Sequence, residues 1–281
     1  YTFTANGTGA TVIYSGAAQT VQPVAYNNLT LSGSSTKTLT SVSTVNGDLT
    51  LGGTASATLA ATFAVGGDVA IGSGATLDVS ASNYGLSVGG NWSNDGTFNG
   101  RSGTVTFNGT GAQAIGGTVA TAFYSVTVNK TSGTAALTAS VSVAGNLSVS
   151  AGTFDLSTLT ADRASAGGTL TVSNGATLLV GGASNFPANY STVTLGATST
   201  VHYNRSDDQS VSARTYGNLV TSGSGTKTLA GAVVVSGGLT IGSGTSLDVS
   251  ASNYALSVAG DWTNNGGTFV PRSGTVTFNG T

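Results

Sequence analysis

A short phrase, Val-x-Gly followed by Asp, Asn or Gly and then a large apolar residue, recurs at 45–49, 65–69, 88–92, 143–147, 235–239 and 258–262. Neighbouring copies lie 20 or 23 positions apart, a period typical of chains that wind into stacked coils. The triplets that end the phrase or follow it, such as Leu49-Thr50-Leu51, Val69-Ala70-Ile71, Leu147-Ser148-Val149 and Leu239-Thr240-Ile241, alternate large apolar with small or polar residues. That is the pattern of a strand with one face buried. Gly-Ser-Gly, Asn-Gly and Gly-Gly separate the strands and supply the backbone conformations that sharp corners need. The expected fold is all-β, a parallel β-solenoid (β-helix) of ~20-residue coils, right-handed by the general crossover preference.

Longer repeats lie over the short one. Residues 77–110 and 247–281 share LDVSASNY, the Gly-x-Trp segment and SGTVTFNGT. An aromatic-led phrase with a downstream Gln recurs at Tyr14/Gln19, Phe107/Gln113 and Tyr203/Gln209, and TKTL closes two units at Thr36–Leu39 and Thr226–Leu229. These mark long units of about 1–100, 101–196 and 197–271, with 272–281 starting the next, in one continuous solenoid over 1–281. Tyr14 to Phe107 spans 93 positions and Tyr203 to Phe278 only 75, as if the first unit held one extra coil. A stack that contacts only its neighbours absorbs a coil easily; tandem β-sandwich repeats, the alternative, have closed cores that do not. The chain opens and stops partway through repeats, which predicts end-to-end partners: copies of itself or adjoining repeats of a longer chain.

Composition removes most functional classes. Charged residues make up 6% of the 281, all ten acids are Asp, and Cys and Met are absent. Helical domains rely on Glu, Lys, Leu and Met, so none is expected. Eight Lys and Arg form no basic stripe for nucleic acid, and no apolar run reaches the ~20 residues of a membrane helix. One His and no Cys leave zinc sites and Ser–His or Cys–His nucleophiles without their parts. The reading is a non-enzyme with no cofactor.

Individual residues follow the repeats. Asp78, Asp155 and Asp248 recur in Ser-x-Gly/Gly-x-[Thr/Ser]-[Leu/Phe]-Asp-[Val/Leu]-Ser contexts, as turn or ladder positions do. Trp92 and Trp262 take the slot of Leu49, Val69, Leu147 and Leu239 and are expected in the core or a ladder, with Asn91 and Asp261 beside them as ladder residues. Tyr84 and Tyr254, in Ser-Asn-Tyr, are the glycan-contact candidates. His202 is expected on a surface strand. Asp207-Asp208, flanked by Arg205 and Arg214, replaces a neutral turn of the repeat and reads as a solvated loop pair with too few oxygens for calcium.

The stretches Gly90–Phe98, Ser102–Thr110 and Asn28–Leu31 resemble the β-strand-rich repeats of very large bacterial surface proteins, such as adhesins and autotransporter-like passengers. The resemblance implies an extracellular or cell-surface location and a role in adhesion, matrix or filament building. Three functions are therefore expected in turn: a structural extracellular rod, an adhesin stalk that grips glycan, and a polysaccharide-active β-helix enzyme, which would need several Asp to converge in one groove.

Overall fold

The computed structural model describes residues 5–280. The chain is all β, with parallel strands stacked about 20 residues apart in a β-solenoid of about 13 turns. A typical coil lays strands on three walls, here A, B and C in chain order; between Thr177–Val180 and Tyr190–Leu195 the wall-C strand is missing. Wall A includes Phe63–Val65, Leu86–Val88 and Thr104–Phe107. Wall B includes Asn28–Leu31, Leu49–Leu51, Val69–Ile71 and Trp92–Asn94. Wall C includes Ser34–Thr38, Thr54–Thr58 and Thr76–Asp78. Neighbours along each wall pair in parallel, and so do the other strand pairs among the described residues. Sandwich repeats would require antiparallel ladders, so that alternative is excluded.

Register sorts the side chains. On wall B, Leu29, Leu49, Val69 and Trp92 stand in one line and all are buried. The residues after them, Thr30, Thr50, Ala70 and Ser93, form the line that faces outward. The period-two alternation of the sequence thus becomes one continuous apolar interior. Each buried Leu or Val adds about 1.5–3 kcal/mol, and each coil covers the open strand edges of the one before it.

The recurring Val-x-Gly phrase forms the corner between walls A and B, except at 143–147, where it turns from wall C into wall A. The Asn28 side-chain oxygen accepts the Asp48 N–H at 2.9 Å, Asp48 accepts the Asp68 N–H at 2.8 Å, Asp68 the Asn91 N–H at 2.6 Å, and Asn91 the Ala114 N–H at 2.8 Å. Each Asx carbonyl or carboxylate therefore ties one coil to the next. A Cβ on Gly47, Gly67 or Gly90 would lie 2.2 Å from the Asx oxygen of the preceding coil. The glycine is there because its neighbour's side chain occupies the Cβ position. Asn91 belongs to this ladder as expected; Asp261 holds the same slot on a later coil, exposed.

The long units are wound out of phase with the coil. Tyr14 and Tyr203 end strands of wall B, whereas Phe107 ends a strand of wall A. From Tyr14 to Phe107 the chain makes four coils and two further walls; from Tyr203 to Phe278 it makes three coils and two walls. The inequality in length is one coil. The middle unit is consequently turned by one wall relative to its neighbours, and this corrects one equivalence. Leu147 pairs with Val126 and Leu170 on wall A, so it does not share the Trp92 slot, while Leu49, Val69 and Leu239 do hold wall-B positions.

Substituting Gly67 or Gly90 by Ala should destabilise the fold by about 1–3 kcal/mol through overpacking. Gly111→Ala, where nothing lies within 4 Å of the new Cβ, should be near neutral. Urea unfolding midpoints distinguish the two cases.

Candidate functional site

All three lysines are inside the coil: Lys37 and Lys227 are fully buried and Lys130 is 1% exposed. Each points its ammonium at the backbone of a corner turn one coil earlier. Lys37 Nζ donates to the carbonyls of Gly16, Ala17 and Ser34 and to Gln19 Oε1. Lys130 Nζ donates to the Gly109 carbonyl at 2.6 Å and Gln113 Oε1 at 2.7 Å. Lys227 Nζ donates to the carbonyls of Arg205 (2.6 Å), Asp207 (2.9 Å) and Ser224 (2.9 Å). Burial holds Lys130 and Lys227 below the ordinary lysine range. The plug closes the corner between walls B and C in the outer units and the corner between A and B in the middle one, which follows the one-wall turn of that unit.

At the B–C corner where the middle unit meets the third, the plug extends into a column. Asn185 donates to the carbonyls of Ser157 (3.0 Å) and Leu159 (2.7 Å) and accepts the Gly182 N–H at 2.7 Å. One coil on, Gln209 donates to the carbonyls of Val180 (2.7 Å) and Gly182 (2.8 Å), and Lys227 follows. Three successive turns thus direct carbonyls inward, where amide and ammonium groups satisfy them.

The side chains of the same turns face outward and line a groove of about 530 Å³: Asp155, Ser157, Thr158, Gly181, Asn204, Arg205, Ser206 and Asp207. Asp155 spends one oxygen on the Ser157 N–H at 2.7 Å. Arg205 Nη2 stands 3.5 Å from Asp207, and the Asp207 carboxyl is held below its usual range by the Asp208 N–H and by Arg205. Asn204 Oδ1 and Arg205 Nε are shielded from solvent and have no hydrogen-bond partner; among the described residues they are the two side-chain atoms in that condition. Leaving such a group unpaired costs about 1–3 kcal/mol.

The three recurrent aspartates share a local turn. Asp78, Asp155 and Asp248 accept the N–H of the serine two residues on, at 2.7, 2.7 and 2.8 Å, which holds Ser80, Ser157 and Ser250 at φ of 71°, 50° and 67°. They form no single ladder. Asp78 and Asp248 end strands on wall C, and Asp155 ends one that pairs on wall B. Asp78 and Asp248 are clamped bidentately by Arg101 and Arg272 of the next coil, at 2.5 and 2.6 Å and at 2.6 and 2.7 Å. Those guanidiniums lower both carboxyls. Asp155 has the turn without the arginine.

Trp92 is in the core, stacked edge-on with Phe98 and Phe107, its Nε1 donating to Thr121 Oγ1 at 3.0 Å. Trp262 is half-buried against Phe269 and Phe278. Tyr84 and Tyr254 are half-buried and packed on the core, and neither lines the groove. His202 faces outward on wall B and bonds Ser222 Oγ at 2.6 Å, and burial lowers its pKa. Arg214 is not part of the Asp207 cluster; it lies over the Phe186 ring. Among the described residues no three His, Cys or acidic side chains come together as a metal site, and the groove brings in two Asp. No protein-family model, curated protein or solved structure matches the chain.

Sequence reasoning missed the internal lysines. The available signal was a Gln one coil before each Lys: Gln19 and Lys37 are 18 positions apart, Gln113 and Lys130 are 17 apart, and Gln209 pairs directly with Lys227.

Lys227→Met should destabilise the fold by about 3 kcal/mol, because several buried carbonyls lose a charged donor; chemical denaturation measures this. Stability should also fall with acid in two stages. Below the ordinary His value of 6.5, unfolded chains take up a proton that folded His202 resists, and His202→Gln should abolish this stage. Below 3.8, as pH passes through the lowered values of folded Asp78 and Asp248, the Arg101 and Arg272 clamps are lost. Thermal midpoints across pH test both stages.

Proposed function

We propose that the chain is a structural extracellular rod that sets length and spacing in a surface fibre or matrix on or outside a bacterial cell. The observation that supports this best is the unbroken register carried from coil to coil along wall B, from Thr11–Tyr14 to Trp262–Asn264. The polar side chains reinforce it, since the lysines, the Asx ladder and the Asp–Arg clamps all fasten one coil to the next. About 13 turns at ~4.8 Å per strand spacing make a rod of ~60 Å. The resemblance of its phrases to bacterial surface repeats supports the location. End-to-end association with adjoining repeats or further copies belongs to the same proposal, in keeping with the way each coil covers the one before it, as Phe123 covers Trp92.

A spacer should tolerate loss of a whole coil. Deleting residues 49–68 joins Asp48 to Val69 and removes one strand from each wall, so the shortened chain should fold and measure ~5 Å less by X-ray scattering. Immunogold electron microscopy of the producing cells should find the protein in rods or fibres outside the envelope. Compact particles confined to the cytoplasm would overturn the proposal.

A further inference from the structure

We propose that an opening in wall A, between Tyr190–Leu195 and Thr215–Tyr216, is a docking site for an extended, acidic segment of a partner protein, which adds there as a strand and places a carboxylate on Arg214.

Backbone pairing reveals the opening. Buried residues of a wall-A strand direct their N–H and C=O toward the following coil, as Phe63 donates to the Gly85 carbonyl and Val149 accepts the Ser173 N–H. Val193 holds the equivalent position on Tyr190–Leu195. That strand pairs with Gly167–Val172 of the preceding coil and, among the described residues, with no strand of the following one. Opposite it, the Arg214 and Tyr216 carbonyls accept the N–H groups of Val234 and Ser236 one coil further on. Thr215 therefore faces back toward Val193, and the Thr215–Tyr216 strand pairs with Val233–Val235 alone. In the first unit the corresponding Tyr26 does bridge back, to Ala5. The two lips stay joined at one end: Thr200–Tyr203 pairs with Asn218–Thr221 on wall B, and at the A–B corner a Cβ on Gly217 would lie 2.1 Å from the Gly196 carbonyl. Away from that corner they leave a groove of about 420 Å³, lined by Val193, Ala213, Arg214, Thr215, Ala232 and Val234.

The lining selects the occupant. Open strand edges present a row of N–H and C=O groups that another polypeptide backbone matches. Val193, Ala213, Ala232 and Val234, the last of them 41% exposed, suit small or β-branched apolar side chains on the added strand. Arg214 supplies the charge. Its guanidinium rests 5.5 Å over the Phe186 ring, yet among the described residues it is the one Lys or Arg with no hydrogen bond or ion pair. Arg101, Arg205 and Arg272 meet carboxylates, while Arg163 and the three lysines meet carbonyls. A carboxylate at the exposed edge of Arg214 gains charge-assisted, bidentate hydrogen bonds. Arg214 stands just before Thr215–Tyr216, so a strand that runs with its neighbours meets it before it passes Thr215 and Val234. The fitting segment thus has Asp ahead of an apolar-Thr-apolar run. A second copy of this chain has no such segment to offer, since its strands ending in Asp, such as Thr76–Asp78 and Thr245–Asp248, are already paired within coils.

Fluorescence polarisation on the full chain tests the site with a library of fluorescein-labelled heptapeptides in which Asp leads an alternating run of Val, Ile or Leu with Thr. At least one peptide should bind saturably. Its affinity should fall at least tenfold when its Asp is replaced by Asn, and equally in the protein variants Arg214→Gln and Val234→Lys, whose thermal midpoints should match the parent because both positions are exposed. A methyl group on a backbone nitrogen within the run should also cost at least tenfold, and one on the terminal residue nothing, which separates strand addition from adsorption. Val119→Lys, at another exposed valine, should bind as the parent does. No saturable binding by any peptide overturns the proposal, as does binding that survives Arg214→Gln or N-methylation undiminished. A dimer in sedimentation that Arg214→Gln abolishes would assign the opening to a second copy and overturns it as well.

Discussion

Everything in this molecule depends on one distance, the ~4.8 Å between a residue and its counterpart one coil along. Whatever occupies a position must tolerate a similar neighbour on both sides, and that condition is strict for charge. Asp48 and Asp68 nevertheless stack on consecutive coils. They can do so because each carboxylate receives a backbone N–H from the next coil, so the ladder spends the charge on a hydrogen bond. Asp78 and Asp248, buried at the ends of wall-C strands, are far apart in the stack and each has its own guanidinium. The low charge content thus reflects how few positions in a coil can neutralise a charge locally.

The same distance explains why cations lie inside. A corner turn leaves carbonyls that no strand ladder can reach, and they face the interior, where an unpaired group is costly. A lysine from the following coil can thread its stem through the apolar interior and place one ammonium among several of these carbonyls. Tyrosine pairs solve a related problem at the start of the outer units. Tyr26 donates to the Gln22 carbonyl while Tyr14 accepts the Gln22 N–H, and Tyr216, Tyr203 and Ser212 repeat this geometry. The middle unit has Phe107 and Phe123 instead, packed with Trp92, so polar and apolar versions of one core element coexist in a single chain.

The coil period, the inward position of Trp92 and the turn role of the aspartates were legible in the sequence, because each rests on contacts between residues about one period apart or closer. The wall on which a phrase falls was not legible. Twenty residues per coil fix the stacking of like on like but leave the phase of a longer phrase free, so Phe107 and Tyr14 look equivalent in sequence while they stand on different walls. Lysine burial was hidden for another reason. An isolated Lys in a Thr-rich strand reads as a solvated residue, and only its pairing with a Gln one coil earlier reveals the plug.

Division of labour between backbone and side chain is what leaves such a stack room to acquire function. Where a corner is held by carbonyls and an internal lysine, the outward side chains of that turn can differ while the plug is kept, and in the third unit they take on bonds of their own, Asp207 to the Asp208 N–H and Asp208 to the Thr226 N–H. Gly16 and Ala17 at one corner correspond to Arg205 and Asp207 at another, yet Lys37 and Lys227 are bound in the same way. The strand positions have no such freedom, because each is fixed by neighbours above and below. Side-chain variety in a chain of this kind is therefore to be sought where a corner departs from its own repeat, and the Asn204–Asp207 turn is such a departure.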